Sequence, residues 1–226
     1  MMGPVHLQPI TWQRLVRAVT DRLPEHRAEH DDPWLRVAVD GAPAADPGGF
    51  AAQLTDVLRE QGRPTLSVDT HGFLRPASLR FEFGHEDVDS YYDGWFDTGA
   101  LWREVFGPLE AGGSGRVLPD LWDPERDRAT RSPYVQLPPG GVLVVHGPFL
   151  LGHWYPFDLV VHLALSSGAL RRRTSEAERW TLPAFARYES EVAPAEAADV
   201  LVRADDPNRP AWRGRDGSDA GRDGSR

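Results

Sequence analysis

Residues 35 to 61 constrain the fold of this chain more than any other stretch. Leu35-Arg36-Val37-Ala38-Val39 is a short apolar run, the turn from Gly41 to Gly49 follows almost at once, and Phe50, Leu54, Val57 and Leu58 then share one helical face. A buried strand that turns directly into an amphipathic helix is the building unit of α/β folds. Asp46 suits the N-cap and Pro47 the first helical position, where no N–H is required. The same alternation runs down the chain, with strands predicted at 65–69, 141–145, 157–165 and 199–203, and helices at 11–23, 98–106, 167–173 and 182–192. The expected architecture is a single three-layer α/β/α domain over 1–212, with a mainly parallel five-stranded sheet and right-handed crossovers. Residues 74–139, rich in aromatics, charge, Pro and Gly, read as an insertion or lid, and 213–226 as a disordered tail.

Composition narrows the function classes. A formal charge of -9 argues against a general nucleic-acid binder, which needs a positive field. No apolar run approaches the ~20 residues of a membrane span, and no secretory leader is visible. With no cysteine the chain has no disulfide framework and no thiolate metal site, which fits a reducing cytoplasm. All 25 basic residues are arginine, as a GC-rich bacterial coding background would give. The expected partner is a small molecule, with a homo-oligomer left open.

Several segments in order carry a resemblance to a known family. They are Val37-Ala38-Val39-Asp40-Gly41 at the loop, Gly72-Phe73-Leu74-Arg75-Pro76, then Tyr92 with Phe96-Asp97 and Leu101, then Leu143 to Pro148, Arg171-Arg172-Arg173, and Ala198 to Val202 with Asp205-Asp206-Pro207. Over roughly 35–210 the chain resembles bacterial uridine kinase and related nucleoside kinases of the P-loop fold. The resemblance implies a P-loop kinase-like sheet, a nucleoside substrate near Phe73, Arg75, Tyr92, Phe96 and Asp97, lid arginines at Arg171, Arg172 and Arg173, and ATP with Mg as co-substrate if kinase activity is kept.

The loop departs from that family. A working loop reads G-x-x-x-x-G-K-[ST], in which N–H groups cradle phosphates, lysine neutralises them and the hydroxyl holds magnesium. Aligned from Gly41, the last three positions are Asp46, Pro47 and Gly48, followed by Gly49. Asp46 repels a triphosphate, Pro47 supplies neither ammonium nor N–H, and Gly48 has no hydroxyl. The favoured expectation is therefore a degenerate Walker A loop remade as a self-capped helix start, with ATP phosphoryl transfer impaired and a nucleoside or small-metabolite crevice retained.

Two alternatives remain. In the first, an active nucleoside kinase uses His71, which stands where the resemblance places the catalytic carboxylate, or Asp69 two residues earlier, as general base. In the second, Asp40, His71 and His146 line one crevice at the carboxyl edge of the sheet and hold a transition metal or run acid-base chemistry. The aromatics Tyr91, Tyr92, Trp95, Phe96 and Trp102 suit either a base-stacking wall, with Asp93 or Asp97 reading sugar hydroxyls, or a satellite core.

Overall fold

The computed structural model describes residues 7–24 and 32–214. In chain order the main elements are β1 (Gln8–Pro9), α1 (Trp12–Thr20), β2 (Leu35–Asp40), α2 (Pro47–Glu60), β3 (Thr65–Asp69), β4 (Val142–Gly147), β5 (Leu159–Ala164), α3 (Ser167–Arg173), α4 (Leu182–Val192), β6 (Val200–Arg203) and β7 (Ala211–Gly214). They form one sheet in the order β3-β4-β2-β5-β6-β7-β1. The five strands from β3 to β6 are parallel, as the alternation of strands and helices predicts. Two further strands, β7 and β1, extend the sheet antiparallel. The start of the expected tail is thus a strand as far as Gly214, and 215–226 lie outside the described residues. The reversal happens at the Asp205-Asp206-Pro207-Asn208 turn, where Asp206 accepts the Asn208 N–H at 2.9 Å, and it returns Trp212 onto the core.

The central strands are buried on both faces, which is why β2 reads as an unbroken apolar run closed by Asp40. On one face Val37, Val39, Val142, Val144 and Val161 pack against α1 and against Phe50, Ala51, Leu54 and Leu58 of α2. On the other, Ala38, Val68, Leu143 and Val145 meet Ala100, Leu101, Val105, Phe106 and Leu109. The stretch expected as an insertion or lid therefore supplies one wall of the core. Its predicted helix begins as an α-turn at Thr98–Leu101 and widens into a π-turn at Trp102–Phe106, which lets Val105 and Phe106 both reach the sheet. A third cluster joins Tyr91, Phe96, Phe149, Phe185 and Tyr188, so several of the aromatics behave as the satellite core that their density allowed. Among the described residues, no helix is long and apolar enough to cross a membrane.

Candidate functional site

The turn after β2 is built around one residue. Pro43–Ala45 makes a single 3-10 turn, after which Asp46 takes the left-handed conformation at φ 59° and begins α2. Asp is one of the few side chains that enters this region readily, because its carboxylate bonds locally. Here Oδ1 accepts the Gly49 N–H at 2.9 Å. The carboxylate thus takes one of the N–H groups of the helix start, which an anion would otherwise use. Any Cβ at Gly49 would strike the Asp46 carboxylate, so glycine at 49 goes with this cap.

Beside the loop, β3 and β4 bring three of the expected residues together. Asp69 and His146 are register partners on adjacent parallel strands and so lie on the same sheet face, under the start of α2. A Cβ on Gly48 would meet the His146 ring at 3.6 Å. Burial lowers the His146 pKa, Asp69 and Asp46 acting against it and His71 with it, so the ring is neutral near pH 7. Asp69 Oδ1 accepts both the backbone N–H of His71 at 2.8 Å and its ring Nδ1 at 2.9 Å. Burial raises the Asp69 pKa, but the hydrogen bonds and charge of His71 outweigh it and hold the carboxylate below its ordinary value. A ring that gives its Nδ1 proton to a carboxylate presents Nε2 as the basic nitrogen. The Phe96 and His71 rings meet edge to face, with centroids 5.8 Å apart.

Asp40 does not join them. Residues alternate faces along a strand, so Val39, the partner of His146, points toward α2 while Asp40 points to the opposite face. There its partner on β5 is His162, whose Nδ1 lies 2.6 Å from Asp40 Oδ2. Asp40 Oδ1 also accepts the Leu150 N–H at 2.9 Å. The expected crevice of Asp40, His71 and His146 is therefore split by the sheet, and no group of three potential metal ligands exists among the described residues. His162 escaped the sequence reading, although a histidine inside Leu159-Val160-Val161-His162-Leu163-Ala164 was the available signal.

The residues assigned to a substrate have mixed surroundings. Phe73 is fully buried in the core against the sheet and is closed to any ligand. Asp97 Oδ1 accepts the Ala100 N–H at 2.8 Å and so caps the turn at Thr98. Arg75 is half-buried, with its backbone N–H on the Trp95 carbonyl at 2.8 Å. Phe96 and Tyr92 border a cavity of about 20 Å³ with Thr70, Phe149 and Tyr155, room for about one water and far too little for a nucleoside. Tyr92 also borders an open cleft of about 670 Å³ with Asp93, His153 and Glu191, while Arg187 covers its ring at 4.4 Å. Of the lid arginines, Arg173 reaches the Asp205 carbonyl at 2.9 Å and the Ala44 carbonyl of the loop at 3.5 Å, whereas Arg171 and Arg172 are exposed.

No family model matches the sequence, and no curated protein matches it either. Solved structures do match. A possible uridine kinase from Bacillus stearothermophilus superposes with a TM-score of 0.67 at 23% identity, over 84% of this chain and 96% of that one. A protein described as a candidate fructose transport system kinase from Silicibacter sp. TM1040 gives 0.56 at 23% identity, over 84% and 95%. The YGR205w protein gives 0.62 at 11% identity, over 91% and 99%. The fold of this chain is thus that of the P-loop kinases, an α/β sheet of mostly parallel strands.

Proposed function

We propose that this chain is a divergent protein of the P-loop kinase fold that binds a nucleoside or a similarly hydroxylated metabolite and is impaired in ATP phosphoryl transfer. The observation that carries this reading is the Asp46 carboxylate on the Gly49 N–H at 2.9 Å. A triphosphate approaching α2 meets that carboxylate, finds no ammonium at Pro47 and leaves magnesium without a hydroxyl at Gly48. A charge-assisted contact is worth about 1.5 to 3 kcal/mol, and loss of one transition-state donor commonly costs about 10² to 10³ in rate. Three such losses coincide at one turn. The likeness to structures described as uridine and fructose transport kinases supports a small hydroxylated ligand. The open cleft at Tyr92 has Asp93 and Glu191 to accept its hydroxyls.

Calorimetric titration with ATP-Mg and with uridine, beside a phosphoryl-transfer assay, tests the reading. Uridine is expected to bind, and ATP-Mg to show no binding at millimolar concentration. Replacing Asp46 by Gly, Pro47 by Lys and Gly48 by Thr together is expected to create measurable ATP binding, since a side chain at 48 meets His146 at an ordinary distance.

A second reading rests on the Asp69–His71 hydrogen bond. In it the protein is an active phosphotransferase, ATP and Mg are bound, His71 Nε2 takes the acceptor hydroxyl proton, and Arg173 beside Ala44 substitutes for the missing lysine. Sub-millimolar ATP binding with turnover that vanishes in His71→Ala would establish this reading and sink the first.

A further inference from the structure

Beyond the carboxyl ends of β2 and β5, between the loop at Gly41 and helices α3 and α4, lies a cavity of about 370 Å³, walled mostly by carbon from Ala42, Phe149, Leu165, Leu170, Leu182 and Phe185. It belongs neither to the Asp69–His71 edge nor to the cleft at Tyr92. An engineered cavity of about 150 Å³ takes benzene, so this one has room for a ligand of roughly ten to fifteen non-hydrogen atoms.

The wall carries one buried polar group without a partner. His162 is only 4% exposed. Its Nδ1 is held by Asp40, which also receives the Leu150 N–H, so the ring cannot turn without breaking the bond to Asp40. Nε2, on the ring edge turned away from Asp40, is buried with no hydrogen-bond partner. The nearest acid is Glu189 Oε1 at 3.8 Å, beyond hydrogen-bond reach, on a side chain 53% exposed that also lines the cavity. The two carboxylates facing it keep the ring protonated near pH 7, so both nitrogens carry hydrogen, and a buried donor left unpaired inside an otherwise apolar site is a costly arrangement that a ligand oxygen relieves.

We propose that this cavity binds a small, mainly apolar molecule bearing one hydroxyl, whose oxygen accepts the His162 Nε2–H and donates its own proton to Glu189. An anionic ligand suits the site less well, because Asp40 and Glu189 already set two carboxylates around one imidazole. A plain hydrocarbon fills the volume and leaves Nε2–H unmet. A hydroxyl both accepts and donates at a single atom, as this pairing requires.

Three probes of one shape separate these chemistries by calorimetry: 4-propylphenol, propylbenzene and 4-propylbenzoate. The phenol is expected to bind most tightly, with the hydrocarbon and the benzoate each weaker by roughly tenfold or more. His162→Phe is expected to bring the phenol down to the level of the hydrocarbon. Glu189→Ala, at an exposed position on α4, is expected to weaken the phenol and leave the hydrocarbon unchanged. Ala186→Trp, on the exposed wall of the cavity, is expected to remove binding of all three while the protein melts as a folded domain. If His162→Phe fails to fold, the other two variants decide. Equal binding of the three probes, tighter binding of the benzoate, phenol binding indifferent to Glu189→Ala, or no phenol binding at millimolar concentration each overturns the proposal.

Discussion

Two histidines on opposite faces of the sheet titrate in opposite senses. At His162 burial opposes the proton, but the hydrogen bond to Asp40 and the charges of Asp40 and Glu189 prevail and raise the pKa to about 9. The other groups facing it are the Tyr188 hydroxyl, whose pKa burial raises, and Arg171 at the rim. A folded value above the unfolded ~6.5 means that this stabilisation is complete below that pH and fades as pH rises through about 9. At His146 the folded value is depressed, so its contribution is present above the unfolded ~6.5 and is lost as pH falls below that through the folded value. Thermal melts from pH 5 to 10 are therefore expected to peak between these limits. The alkaline limb should flatten in His162→Gln and the acid limb in His146→Asn. Asp46 offers a second residue-level check. Asp46→Ala removes the cap while keeping a Cβ in the left-handed region, and is expected to cost about 1 to 2 kcal/mol in urea unfolding. Asp46→Gly is expected to cost only a few tenths, because glycine adopts that conformation freely.

The end of β4 is the least forgiving element. Gly147 has φ 144°, and a Cβ there would collide with the Thr70 side chain, whose Oγ1 is buried without a partner. Gly147→Ala is expected to destabilise by about 1 to 3 kcal/mol in denaturant melts. In α3 the three arginines are unequal. Arg173→Ala breaks the tie between Asp205 and the loop and is expected to cost about 1 kcal/mol. Arg171→Ala and Arg172→Ala, both at exposed positions, are expected to stay within ±0.5 kcal/mol. Most of these elements were legible in the sequence because their signals are local: β2, Asp46, Pro47 and the apolar face of α2 lie within 26 consecutive positions, from Leu35 to Glu60. The self-cap at Asp46 was likewise readable from its place before Pro47. Faces and pairings were not. Whether Asp40 meets His146 or His162 depends on strand alternation and on register with strands more than 100 residues away. Trp212 gave no strand signal of its own, since its place is set by the turn at Asp206 and by β6.

At the scale of the molecule, the antiparallel pair β7 and β1 closes one side of the sheet. Removing residues 211–226 strips β6 of its neighbour and exposes a row of unpaired backbone groups beside Val200 and Val202. That truncation is expected to lower the melting temperature and to raise light scattering on storage relative to the full chain. The parallel strands also explain why the loop, the Asp69–His71 pair and the Asp40–His162 pair all gather at one end of the sheet, each at the carboxyl end of its strand. On the proposed reading of the loop, the Asp46 carboxylate acts there as a tethered competitor. Joined to the helix start by three residues, it is present at an effective concentration of order millimolar or above, whatever the composition of the surrounding solution. An anion arriving from solution must outcompete a rival that never diffuses away. Raising its concentration therefore gains occupancy only slowly, and removing the tether by Asp46→Gly frees the position at once.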